Sequence, residues 1–226
     1  MPASHLHHNM TAECRFFLPM TTSCPLSRAR PPTSWDSDRF GHAFAATTLV
    51  FLGDSLADQQ WRSLLCLEAQ HLDHKSVSKL LDGDASTSIK TKLYCAHTLS
   101  GLELCHQRRW TLDTVLEAAD ALLLTPGKNL TLVMSAHAHE QNVSEAEMAS
   151  RLLSWTRRSA AAASSVRGST TLVWRTRGYA HYGAEGWTGS LERRGCAPVS
   201  EAQTAAIESD LRRARAILGK AANLLV

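Results

Sequence analysis

The sequence predicts an α/β fold, a three-layer sandwich in which one mainly parallel sheet carries helices on both faces. Three observations predict it. Short apolar, β-branched runs alternate with longer segments whose apolar residues recur at helical spacing. The order is strand, helix, strand, helix, strand, helix, strand, helix, with a last strand begun at Leu224-Leu225-Val226; such alternation builds parallel sheets through right-handed crossovers. The length of 226 residues suffices for one sizeable core and is short for two domains.

Residues 1–45 are rich in Pro, Ser, Thr and His, show no sustained periodicity and read as an irregular segment before a folded unit over 46–226. Thr48 to Leu52 is a strand, Gly53-Asp54-Ser55 a turn, and a helix follows from Ala57 with Trp61, Leu64, Leu65, Leu67 and Leu72 as its apolar positions. Ser76 to Ser88 is a polar loop, and its Asp82-Gly83-Asp84 has too few carboxylates at alternating positions for calcium, so it reads as a turn. Thr91 to His97 is a second strand. Leu112, Val115, Leu116, Ala119, Leu122 and Leu123 share one helical face that ends at Thr125-Pro126-Gly127. Asn129 to Ser135 is a buried strand, and Ser144 with Glu147 forms a capping box that opens the next helix, running to about Ser165. After Gly168, Thr170 to Arg175 is a strand and 176–199 a long loop. Ser200 then caps a helix with an apolar stripe at Ile207, Leu211, Ala214, Leu218 and Ala221.

Charge and composition exclude several classes. A net charge of +3 and a pI near 8.6 arise from nearly balanced acids and bases without a long block of one sign, so nothing points to nucleic acid; pairs such as Arg108-Arg109, Arg157-Arg158 and Arg212-Arg213 read as solvated faces. No stretch approaches the length of a membrane span. His5, His7 and His8 lack an accompanying carboxylate or Cys cluster and read as a solvated tail, with no metal site. The six cysteines, at 14, 24, 66, 95, 105 and 196, show no C-x-x-C spacing; their even number allows disulfides without establishing them. Asn9, Asn129 and Asn142 open N-x-S/T sequons, and Asn129 is the least suited to glycosylation because it begins a strand. The first twenty residues lack the continuous apolar core of a signal peptide, so the chain is either cytosolic or has its targeting segment outside this sequence.

The chemistry centres on Gly53-Asp54-Ser55. A serine between the carboxyl end of a strand and the amino end of a helix faces N–H groups without intrahelical partners and the positive end of the helix dipole. Those donors can stabilise an oxyanion in acyl transfer. Gly53 permits the close turn and Asp54 can fix it by accepting hydrogen bonds. Equally, Asp54 or Ser55 can serve only as the helix cap.

The longer stretch FLGDSLADQQWRSLLC resembles the GDSL block of the PC-esterase and trichome-birefringence-like proteins, part of the SGNH/GDSL hydrolase group, through Gly53, Asp54, Ser55, Leu56, Gln60, Trp61, Ser63, Leu64, Leu65 and Cys66. A second block is similar to the family's R-T…H-F…W…C run through Arg175, Thr176, His181, Trp187 and Cys196, with Tyr182 in place of Phe. The two blocks, in order, cover about residues 45 to 200. The resemblance implies an SGNH-like sandwich with Ser55 as nucleophile, Gly53 and Asp54 at the turn and oxyanion site, and Gln60, Arg175, His181 and Trp187 on the substrate. It implies transfer or removal of O-acetyl groups on cell-wall polysaccharides or other O-acetylated glycans, no cofactor, and a place in the secretory pathway, in the Golgi. The acetyl donor is not named by it.

Three departures qualify the resemblance. The family's D-x-x-H near the carboxyl terminus, source of the base and its orienting group, has no counterpart here: Asp210 is followed by Leu211-Arg212-Arg213. The expectation is an incomplete chain. His137 and His139, which follow the third strand, are the first substitutes for the base, although a positioning or structural role suits them better. Where relatives carry Arg after GDSL and one residue, this chain has Asp58, exchanging a positive for a negative charge; and Val133-Met134-Ser135-Ala136 carries no amide side chain where an Asn is expected. An oxyanion would then rest on N–H groups at Ser55 and its neighbours.

Overall fold

Strand β1 (Thr47–Gly53) is apolar on both sides and buried along nearly its whole length. Val50 and Leu52 enter one core cluster, Leu49 and Phe51 the other, the period-two division of a strand covered on both faces. The computed structural model describes residues 35–73, 92–127, 129–136, 143–163, 169–176, 200–220 and 224–225. Around β1 the chain lays down, in order, α1 (Ser37–Ala43, before the strand), α2 (Ser55–Leu67), β2 (Tyr94–His97), β3 (Glu103–Arg108), α3 (Leu112–Leu123), β4 (Asn129–Met134), α4 (Glu145–Ala163), β5 (Thr170–Trp174), α5 (Glu201–Leu218) and β6 (Leu224–Leu225).

The six-stranded sheet has the order β2-β3-β1-β4-β5-β6. Every pairing is parallel except β2 with β3. α1 and α2 pack on one face, where Phe40, Phe44, Trp61 and Leu64 meet Leu49 and Phe51. α3, α4 and α5 pack on the other, around Leu132, Met134, Trp155 and Trp174. The expected three-layer α/β sandwich is therefore the observed one. From β1 the chain steps to one side to make β3 and then to the other to make β4, so the carboxyl end of β1 is the point where strand order reverses, and a crevice opens at such a point.

Four details differ from the sequence reading. Residues 37–43, expected to be irregular, form α1, which Asp36 caps by accepting from the Arg39 N–H at 2.9 Å. Helix α2 ends at Leu67, and Leu72 instead forms a bridge with Thr98, which buries it. The strand expected over 91–97 is limited to 94–97 and is antiparallel. Its partner β3 was not expected at all, because E-L-C-H-Q-R lacks the β-branched residues and clean alternation that mark strands. A disulfide joins Cys95 to Cys105 directly across that antiparallel pair, and Cys66 is also disulfide-bonded. The exposed pairs Arg157-Arg158 and Arg212-Arg213 are solvated as expected, and no described helix is long and apolar enough to cross a membrane.

Asp210, the aspartate of the incomplete D-x-x-H comparison, has a structural task. From α5 its carboxylate accepts from the N–H groups of Glu145 at 2.7 Å and Ala146 at 3.4 Å, capping α4, while Ser144 Oγ accepts from Glu147 N–H. An Asp210→Ala change leaves these first-turn donors without their acceptor. Its expected effect is a loss of about 1–2 kcal/mol, read as a lower urea midpoint with an unchanged m-value.

Candidate active site at the carboxyl edge of the sheet

The turn after β1 is shaped by lack of space. Gly53 has φ 156°, and a Cβ there would lie 2.5 Å from the Ser135 carbonyl oxygen, 2.7 Å from Ser135 Oγ and 3.0 Å from Ala57 Cβ. Only glycine lets the ends of β1 and β4 approach so closely. Asp54, fully buried, is the N-cap of α2 and accepts from the Leu56 N–H at 2.9 Å. Capping therefore falls to Asp54 and leaves Ser55 at the first helical position, exposed to solvent. The Ser55 N–H is among those that a helix cannot satisfy internally.

Neighbouring strand ends complete the edge. Beyond β3, Arg109 donates its N–H to the Gly53 carbonyl at 2.7 Å; beyond β4, Ser135 donates to Leu52 at 3.0 Å; beyond β5, Arg175 donates to Met134 at 2.9 Å. These bonds extend the sheet pattern one residue past each strand and fix Ser55, Ser135 and Arg175 on the same rim. The Arg175 guanidinium is lowered from its ordinary value by burial, while the nearby Asp54 carboxylate acts against that fall. Asp54 thus holds the helix with one set of contacts and faces a cation with its charge.

Two of the expected substrate residues come together. Gln60 and Arg175 line one open cavity of about 730 Å³, within the size range of ligand pockets. Its floor is Phe51, Val133 and Val173, adjacent residues of β1, β4 and β5 in register, and its wall is the Leu56–Leu67 side of α2. Leu56, next to Ser55, is among the residues that line it. His181 and Trp187 fall outside the described residues, as do His137 and His139.

On the other flank, the expected loss of positive charge at Asp58 is reversed by its neighbours. Its carboxylate meets Arg62 Nε at 3.1 Å and Arg108 Nη2 at 3.2 Å. Two guanidinium groups thus share this one carboxylate. Arg108-Arg109 is accordingly not a freely solvated pair: Arg108 is tied to Asp58 and Arg109 Nε is buried. Arg108, Trp110 and Ser135 are the site residues that the sequence did not single out for roles; Arg108 pairs across the sheet with Gly53, a register invisible without β3.

His106 is the one described histidine set toward this cluster. It is buried in β3, stacked on Trp61 at 5.5 Å, with Nδ1 3.6 Å from Asp58 Oδ1, too long for a strong hydrogen bond. Its pKa is lowered to about 4, first by burial, with Arg108 and Arg62 adding to the fall and Asp58 opposing it. A neutral, enclosed imidazole packs on Trp61 of α2 and makes no hydrogen bond to Ser55. His42, His71 and His97 belong to elements at the opposite, amino edge of the sheet.

No family model matches the chain, and no curated protein or solved structure matches it.

Two outcomes follow from the geometry. Gly53→Ala forces the Cβ into backbone as well as side chain, so stability falls by more than about 2 kcal/mol, measured by thermal unfolding, whereas Ala46→Gly, which relieves a positive φ of 57°, leaves the protein as stable or more so. The folded state binds fewer protons at His106 than the unfolded chain between pH 6.5 and about 4. Its contribution is therefore complete above pH 6.5 and lost as pH falls through 4, on the order of 3 kcal/mol in all. Urea midpoints taken from pH 7 to pH 4 decline less steeply in His106→Gln.

Proposed function

We propose that this protein is an SGNH-type serine acyltransferase or esterase that moves or removes acetyl groups on cell-wall glycans, with Ser55 as nucleophile. The observation that carries this reading is the division of labour at the turn: buried Asp54 caps the helix, and the Ser55 hydroxyl stands exposed where strand order reverses. In the reaction, Ser55 Oγ attacks the ester carbonyl carbon and its proton passes to a base. The oxyanion is held by the N–H groups at the start of α2, and the alcohol leaves with a proton. Water or a sugar hydroxyl then takes the acetyl group from Ser55, and exclusion of water decides between transfer and hydrolysis. The Arg62 and Arg108 guanidinium groups beside Asp58 favour the negative charge that develops on the carbonyl oxygen. The disulfides at Cys66 and between Cys95 and Cys105 suit an oxidising compartment, in keeping with passage through the Golgi.

A second reading is a glycan-binding protein without catalysis. It is favoured by the histidines among the described residues, none of which is placed to act as base for Ser55. Under the acyl-transfer reading the base would come from residues outside those described, with His137 and His139 as the first candidates. Incubation of the purified chain with p-nitrophenyl acetate separates the readings: Ser55→Ala is expected to lower the rate at least about 100-fold, whereas equal rates for the two proteins support binding alone.

A further inference from the structure

The β3 flank of the turn holds chemistry that acyl transfer at Ser55 does not use. Arg108 stands opposite Gly53 in the β1–β3 register, and the next residue's N–H bonds the Gly53 carbonyl at 2.7 Å. Asp58, which pins Arg108 through Nη2 at 3.2 Å, lies three residues after Ser55, one helical turn along the same side of α2. The Arg108 side chain is 30% exposed, and its Nε and Nη1 make no hydrogen bond to the described residues. Its guanidinium carbon lies 5.4 Å from the centroid of the half-buried Trp110 ring. A guanidinium held on one edge by a carboxylate, with its other donors bonded to none of the described residues, is organised in advance for a second planar anion. The adjoining indole offers an apolar surface of the kind that the C–H face of a pyranose ring can cover. Arg62 also meets Asp58, so that the carboxylate is shared between two cations.

We infer that Arg108 and Trp110 form a sugar subsite beside Ser55 that selects a carboxylate-bearing residue, so that the glycan handled here is a uronate polymer. Placement of the uronate next to the reacting ester rests on the acyl-transfer reading; the binding does not. The Nε and Nη1 donors of Arg108 hold one carboxylate, and Asp58 repels a second.

The Ser55→Ala protein, which binds without turnover, tests the inference by titration calorimetry with an oligogalacturonide, with a neutral xylo-oligosaccharide of equal length and with inorganic sulfate. The oligogalacturonide is expected to bind at least about tenfold more tightly than the neutral sugar, to weaken about tenfold in Arg108→Gln and to weaken as sodium chloride rises. Trp110→Ala, which leaves the Asp58 pair intact, is expected to weaken it as well, and this variant decides the matter if Arg108→Gln does not fold. Equal affinity for the neutral oligosaccharide, indifference to both substitutions, or full competition by sulfate would each overturn the subsite. Loss of ester hydrolysis in the unsubstituted chain alongside selective uronate binding would remove the acyl-transfer reading and leave the subsite standing. Hydrolysis that depends on Ser55 with no preference for uronate would do the reverse.

Discussion

The absence of room for a side chain at Gly53 governs the rest of this molecule. Because β1 and β4 close to within contact of backbone and Ser135, the chain leaving β1 has one route, into α2, and the Asp54 carboxylate is trapped beneath it. That trapping settles which residue caps the helix. With Asp54 committed to the Leu56 N–H, the hydroxyl of the next residue is displaced outward to solvent. A packing constraint in the backbone is thus converted into the exposure of a single oxygen.

The same turn divides its surroundings into two unlike flanks. Toward β4 and β5 the surface is a long apolar depression with Arg175 and Gln60 at its polar points. Toward β3 it is a compact charged cluster in which one carboxylate holds two guanidinium groups above a neutral, buried imidazole. An edge with one apolar and one charged flank can receive the two ends of a ligand differently. Electrostatic preorganisation of this kind depends on groups that are already fixed before a ligand arrives. Here the fixing is done by register: Arg108 is opposite Gly53 because β3 pairs with β1 over six residues.

Much of this was legible in the sequence. The strand–turn–helix at 48–66 announced itself through β-branched apolar residues, a glycine and helical spacing, all local signals, and β4, β5 and the amphipathic α3 and α5 were equally plain. β3 was not legible, since Leu104, Cys105 and His106 are buried by their neighbours and not by any pattern of their own. That omission had consequences for the site. Without β3, Asp58 looked like a charge reversal and Arg108 like a surface residue; with it, the two are partners. The capping question at Asp54 and Ser55 was likewise open to either residue until backbone geometry assigned it. His181 and Trp187 lie outside the described residues.

The bond from Asp210 to the start of α4 joins groups 65 residues apart in the chain. Helix α4 therefore emerges from the ribosome long before the carboxylate that finishes its first turn exists. Until α5 has been made and has swung into place, the leading end of α4 must find water or the Ser144 hydroxyl as a stopgap. The pair should then mature as one unit late in synthesis, well after β1 and the turn that follows it have left the ribosome.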